Sequence, residues 1–370
     1  MMAGAADVTG GMGWLAAAVL SAGVARCVTG LVGAVDPAAP GTTSRDRWWP
    51  EGTIVAGGLV LWWWEVVRQG QLPAGGGGES VPLAVRFAAH AVLAGLLLAA
   101  AWIDLRHRVI PDLVTVPGVM IGLIWMAIAP DSLLPVIRDV PRSFAPPEEV
   151  LDVLGIAGPL RGGDWSGGAG VAGLVVALAV FGGWWSTCTA AFREPGPGGL
   201  AGLVTEPRHL VVAAGIAVVA GSWWTGADHW RGLASALAGT ATAGAVVWLT
   251  RLGATRALGR EAMGMGDVTL MAMVGAWIGW QPVLCSCMAG VFLGLAHGVV
   301  QLVRHRDAEL PFGPSLCAGT AVVVVGWRPI WSRVGSAFER PGEMAAVVFA
   351  VIVLTAISLA VWRRIRGPSG

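Results

Sequence analysis

Residues 262–280 read AMGMGDVTLMAMVGAWIGW, an aspartate set behind two glycines and followed by an apolar run. Residues 101–118 read AWIDLRHRVIPDLVTVPG, in which Asp104 closes one apolar run and Pro111-Asp112 opens the next. Both stretches place an ionisable carboxylate where a membrane helix meets water. Such a group is expensive at the edge of hydrocarbon, so it marks a functional site by default. Gly264 and Gly266 leave the backbone before Asp267 free of Cβ atoms, which permits close approach of a substrate. Two carboxylates facing each other in a poorly solvated site are the minimal equipment for aspartyl proteolysis. Asp104 and Asp267 are the candidate catalytic pair.

Each residue also has a plainer reading. Asp104, followed by Arg106-His107-Arg108, fits an ordinary charged turn between helices. Asp267 fits a helix N-terminus, where a carboxylate satisfies free backbone N–H groups. Asp112, directly after Pro111, reads as a capping or supporting residue rather than a third catalytic acid. Pro311-Phe312-Gly313-Pro314 reads as a helix-opening turn, since proline is tolerated in a first turn.

The rest of the chain is membrane-like. It is 55% hydrophobic and only 13% charged, half of the charge that soluble domains carry. Its mean hydropathy of +0.69 agrees. The 55 glycines suit helices whose backbones touch. With 20 Trp and no Tyr, tryptophan alone must supply any aromatic belt at the membrane surfaces, and Trp62, Trp63, Trp64, Trp102, Trp125, Trp184, Trp185, Trp223, Trp224, Trp280 and Trp362 sit at proposed span ends. A formal net charge of +1 gives no reason to expect nucleic-acid binding.

Apolar segments fall near 12–34, 52–67, 82–103, 113–129, 168–187, 209–225, 233–250, 266–281, 283–303, 313–329 and 343–362. The expected fold is therefore all-α, a polytopic transmembrane helix bundle of about 11 spans. The N-terminus lacks a basic region, which argues against a cleaved signal peptide. One set of alternate loops, with the C-terminal tail, holds fourteen arginines and the other set eight. The arginine-rich set is read as cytoplasmic, with the N-terminus outside and the C-terminus inside. That assignment puts Asp104 and Asp267 on the same, cytoplasmic side. The expected division is 1–81 as N-terminal membrane segments, 82–129 as the first aspartate segment, 130–250 as inserted loops and extra spans, and 251–370 as the GxGD segment with the closing spans.

Three blocks occur in order: D-x(6)-P-D followed by LVTVPG, GxGD followed by an apolar helix, and ELPFGPSLCAG at 309–319. Together they resemble the type IV prepilin peptidases, over roughly 82–125 and 260–330. The resemblance implies an aspartic endopeptidase of the bacterial inner membrane with Asp104 and Asp267 catalytic. It places Gly264, Gly266, Pro111, Asp112, Pro311 and Gly313 in binding or supporting roles. The implied partners are the leader peptides of prepilins or pseudopilins, within the lipid bilayer, with cleavage after a glycine.

The chain departs from that pattern in two places. Residues 130–260 are longer than the family would suggest, with Pro- and Gly-rich loops and an extra hydrophobic pair. The five cysteines form no C-x-x-C, whereas many prepilin peptidases carry two such pairs in a zinc-type module associated with N-methylation. Tetrahedral zinc needs four convergent ligands, so no metal and no cofactor are expected and methyltransferase activity is doubtful. The competing readings are an inactive peptidase-derived scaffold and a transporter that uses its carboxylates for proton coupling.

Overall fold

The computed structural model describes residues 10–36, 48–72, 80–134, 136–137, 144–145, 168–189, 207–225, 227–305, 312–339 and 341–366. The described chain is a bundle of helices: α1 Gly11–Val35, α2 Trp48–Trp62, α3 Ser80–His107, α4 Asp112–Ile128, α5 Gly168–Thr189, α6 Pro207–Thr225, α7 Ala227–Leu258, α8 Met265–Ile278, α9 Trp280–His305, α10 Gly313–Val325, α11 Trp327–Val334 and α12 Pro341–Arg366. A two-residue ladder pairs β1 (Val136–Ile137) antiparallel to β2 (Phe144–Ala145). Every apolar segment of the sequence is helical, as unbroken apolar runs should be.

Length separates these helices. Four are long and apolar enough to cross a membrane: Gly11–Val35, Pro82–His107, His229–Leu258 and Trp280–Gly298. A bent pair, Trp327–Phe338 with Gly342–Ser358, makes a fifth if counted as one span. The shorter apolar helices include α4, α8 and α10. At 1.5 Å per residue α8 reaches only about 21 Å, less than the roughly 30 Å hydrocarbon core. The chain is thus a multi-pass membrane protein that combines long helices with short ones, of which α8 is the enclosed one.

Gly279 explains one difference from the sequence reading. The expected spans 266–281 and 283–303 divide instead at Gly279, whose φ of 81° lies in the left-handed region. Its N–H donates to the Gly275 carbonyl at 3.0 Å, closing α8 before Trp280 begins α9. The sequence signal at the break is Gly279 itself, with Gln281 and Pro282 in the first turn of α9, where proline is tolerated.

The short helix α8 lies at the centre. Every residue from Asp267 to Ile278 is buried, so the helix must be apolar all round. Its neighbours reach it through glycines. A Cβ on Gly239 of α7 would run into the Gly275 carbonyl, and one on Gly275 into the Gly239 carbonyl. On another side, Gly118 and Gly122 of α4 lie against Met273 and Trp277, and Trp277 Nε1 donates to the Gly118 carbonyl at 2.9 Å. Gly290 of α9 and Gly319 of α10 make a third such contact. Close backbone approach of this kind gains dispersion contacts where lipid offers no hydrophobic drive.

Tryptophan divides between two roles. Trp224 is 79% exposed, as a belt residue should be. Trp62 and Trp280, also placed at span ends by the sequence, are buried. Trp62 packs edge-on against Phe87, and Trp280 against Phe338.

Candidate active site

Three helix ends converge at one end of the bundle. Asp104 stands in the last turn of α3, Asp267 in the first turn of α8, and Gly313 opens α10. After Asp104 the chain turns sharply: Arg108 adopts φ 55° and its N–H donates to the Asp104 carbonyl at 2.8 Å. Pro111, extended at φ −77° and ψ 142°, then caps α4, whose first residue is Asp112. The turn is tied to α1 by Asp36, which accepts from Arg106 Nε at 3.2 Å and meets His107 Nε2 at 3.3 Å.

The two aspartates come together. Asp104 is 5% exposed and Asp267 8% exposed, and the charge of Asp104 acts on Asp267. Their local settings differ. Asp267 is the third residue of α8 and the Gly264 amide, at the N-cap, faces its carboxylate. This is half of a capping box, with the helix dipole favouring the acid. Asp104 has the opposite placement, since an acid near a helix C-terminus opposes the dipole. Burial there costs further. Its compensation is the Gly313 N–H, which donates to Asp104 Oδ2 at 3.1 Å from the start of α10. Helix stability alone accounts for Asp267; it does not account for Asp104.

Glycine at 313 and 266 is a packing requirement. A Cβ on Gly313 would stand 2.5 Å from Asp104 Oδ2 and 2.9 Å from Ile110 Cδ1. One on Gly266 would stand 2.9 Å from the Ile110 Cβ. Ile110 is therefore a wedge between the two glycine-bearing helix starts, and it is buried. Sequence reasoning passed over it; its place between Asp104 and Pro111 was the available signal. The loop before α8 is held by Arg251, whose Nε donates to the Met263 carbonyl at 2.8 Å and whose Nη2 pairs with Glu261 at 2.6 Å.

The remaining candidates separate. Asp112 is partly buried at the start of α4, where its charge acts on Cys188 of α5. Pro311 lies outside the described residues. Among the described residues no three of His, Cys, Asp or Glu converge as metal ligands. Chemically, the arrangement offers two carboxylates that compete for one proton, with a backbone donor on one of them.

Residues 204–299 match the type IV leader peptidase family. A Burkholderia pseudomallei protein named prepilin leader peptidase/N-methyltransferase is 33% identical over 116 residues, 30% of this chain and 36% of that relative. Proteins of the same name from Pseudomonas aeruginosa and Aeromonas hydrophila are 40% identical over 86 residues and 39% identical over 74. Those alignments span 26% and 23% of the respective relatives, so the chain spans about a third or less of the curated relatives it matches. No solved structure matches the chain. The family match includes Asp267 and its glycines; Asp104 and Gly313 fall outside it.

Proposed function

From the match of residues 204–299 to the type IV leader peptidase family and the curated relatives named prepilin leader peptidase/N-methyltransferase, we propose that the chain is a membrane aspartic endopeptidase of that family, which removes the N-terminal leader from type IV prepilins or pseudopilins. The observation that carries this reading is the buried meeting of Asp104 and Asp267, with the Gly313 N–H on Asp104. One carboxylate, ionised, takes a proton from a bound water as the oxygen attacks the scissile carbonyl. The other, protonated, hydrogen-bonds to that carbonyl and later supplies the proton that the departing amine needs. Like charges at short range cannot both ionise cheaply, so the pair retains a single proton and both roles exist at neutral pH. Gly264 keeps the approach to Asp267 open, Gly266 makes room for the Ile110 wedge, Pro111 sets the start of α4 and Asp112 supports it; for Pro311 the supporting role rests on the sequence resemblance alone.

The proposed topology has about eleven spans in the bacterial inner membrane, with the N-terminus outside and the C-terminus in the cytoplasm. The peptidase elements are 82–129 and 251–370, with 1–81 and 130–250 as added membrane segments. Cleavage occurs at the cytoplasmic face. The relatives' name includes N-methyltransferase; here no C-x-x-C is present, and we assign cleavage without a zinc-bound module.

The direct test is conversion of a co-expressed prepilin to its shorter form on a gel. Failure on several prepilins would favour the inactive scaffold. Two further outcomes follow. Cysteine accessibility will place 104–112, 251–265 and 304–312 on the cytoplasmic side; the first two on opposite faces would make the pair impossible. Replacing all five cysteines by Ala will leave cleavage within a few-fold of wild type, since no thiol takes part. Loss of cleavage in a correctly folded, cysteine-free protein would overturn the metal-free reading.

A further inference from the structure

Helix α10 bears on Asp104 at one end only, through Gly313. Its other end is held by a segment far away in sequence. Beyond α2 the chain widens into one π-turn, Trp63–Val67. Gln69 then adopts φ 50°, and the Gly70 N–H donates back to the Trp64 carbonyl at 2.9 Å. Gly70 lies against the Trp64 ring so closely that a Cβ would overlap it. This fold-back presents two donors to the last turn of α10. Gln71 Nε2 donates to the Val324 carbonyl at 2.8 Å, and Trp64 Nε1 to the Val325 carbonyl at 3.0 Å. Carbonyls in a helix's last turn have no partner within the helix, so these bonds act as a C-terminal cap from outside.

The same cap is tied to α3. Gln71 Nε2 also donates to Glu65 Oε1 at 2.9 Å, and that oxygen meets His90 Nδ1 at 2.6 Å. Glu65, Gln71 and His90 are each at most 2% exposed. Helices α3 and α10 are therefore joined twice, by Asp104–Gly313 at one end and by His90–Glu65–Gln71–Val324 at the other. The rungs lie about 21 Å apart along α3 and about 17 Å along α10, at 1.5 Å per residue, so antiparallel helices can satisfy both. Between the rungs the seam is not filled. Leu93, Leu97 and Ala101 of α3 and Cys317, Ala318 and Ala321 of α10 line one cavity of about 730 Å³. The opening lies on one side of α10 only; on the other side α10 is packed against α9 through Gly290 and Gly319, and the rungs act with that contact to set how far α10 can slide.

We propose that Gln71, aided by Trp64, is a positioning residue for the aspartate pair. By capping the far end of α10 it sets the axial seat of that helix, and hence the place of the Gly313 N–H on Asp104. The proposal rests on Asp104 being catalytic.

The test uses the full-length protein in detergent with a purified prepilin, and Cys317 as a reporter of the seat of α10. Cys317 is buried one turn beyond Gly313; the other four cysteines are changed to Ala. Gln71→Leu removes the donor while keeping the bulk. We expect kcat to fall roughly tenfold or more, as small misplacements do, with KM within about twofold. Cys317 will react faster with a thiol reagent, and the pH profile of cleavage will move because Asp104 has lost a fixed donor. Gln71→His, which keeps an N–H at similar reach, will recover most of the loss, and Trp64→Phe will show the same pattern to a smaller degree. A kcat within twofold of the parent, or unchanged Cys317 labelling, in folded Gln71→Leu overturns the proposal. Should Gln71→Leu not accumulate, the same criteria apply to Trp64→Phe. A parent inactive on every prepilin would instead remove the proteolytic reading, while the labelling would still decide whether Gln71 seats α10.

Discussion

Asp104→Asn and Asp267→Asn should each reduce leader cleavage to background while the protein accumulates normally. The substitution keeps the shape of the side chain and removes the charge and the exchangeable proton. Positioned acid–base groups contribute roughly 10²–10⁴ in rate apiece, and groups that act as one unit lose nearly everything together. The expected loss is therefore at least about 10³-fold for either single variant, and the double variant is hardly worse. Asn at 104 can still accept from the Gly313 N–H through its amide oxygen, so folding is retained. Asn at 267 can still take up the N-cap contact with Gly264. Asp112→Asn is the internal control: Asp112 neighbours Cys188, so cleavage falls only a few-fold. Appreciable processing by Asp104→Asn or Asp267→Asn, measured by gel conversion beside wild type, would exclude the dyad. Equal losses at all three positions would point to a charged surface rather than a two-group mechanism.

The legible part of this molecule is the part written in local chemistry. An apolar run can only bury itself or face lipid, so each of the eleven runs is helical, although 266–281 and 313–329 are each divided between two helices, at Gly279 and Gly326. An aspartate beside such a run must lie at its end or be paid for by neighbours, and Asp104 and Asp267 are at helix ends. What the sequence left open depends on distant contacts. Ile110 reads as one apolar residue among several in a turn, and its role as a wedge appears only when Gly266 and Gly313 close on it from other helices. Trp62 and Trp280 look like belt residues because their positions are terminal, but Phe87 and Phe338 cover them. The break at Gly279 is marked only by that glycine and by Gln281-Pro282 just after it, a faint signal inside an otherwise apolar run. Gln71 and Val324 are 253 positions apart, a separation at which no periodicity speaks. The number of true crossings belongs to the same class, because α4, α8 and α10 are apolar yet short, and surrounding helices decide what such segments do.

Gly275→Val should be the most damaging apolar substitution in the chain, with Gly239→Val its counterpart. The two glycines let α7 and α8 touch backbone to backbone, and a Cβ on either would fall on the carbonyl oxygen of the other. No flexible side chain can yield there; a helix axis has to move. Helix α8 cannot move freely, because it is buried on all sides from Asp267 to Ile278. Shifting it from α7 presses Met273 and Trp277 into Gly118 and Gly122 of α4, and strains the Trp277 bond to the Gly118 carbonyl. Overpacking in a dense core costs about 1–3 kcal/mol and more where backbone is involved, against a total stability of roughly 5–15 kcal/mol. The matched control is Gly182→Val in α5, where a Cβ meets nothing within 4 Å; it carries the same helix-propensity change without the collision. Thermal unfolding of the purified proteins should show Gly275→Val melting several degrees below Gly182→Val, or failing to yield a monodisperse species. Gly275→Ala should fall between them and lose part of its cleavage activity, since the helix that shifts is the one that presents Asp267. Equal melting of Gly275→Val and Gly182→Val would mean that α7 and α8 do not meet at these glycines.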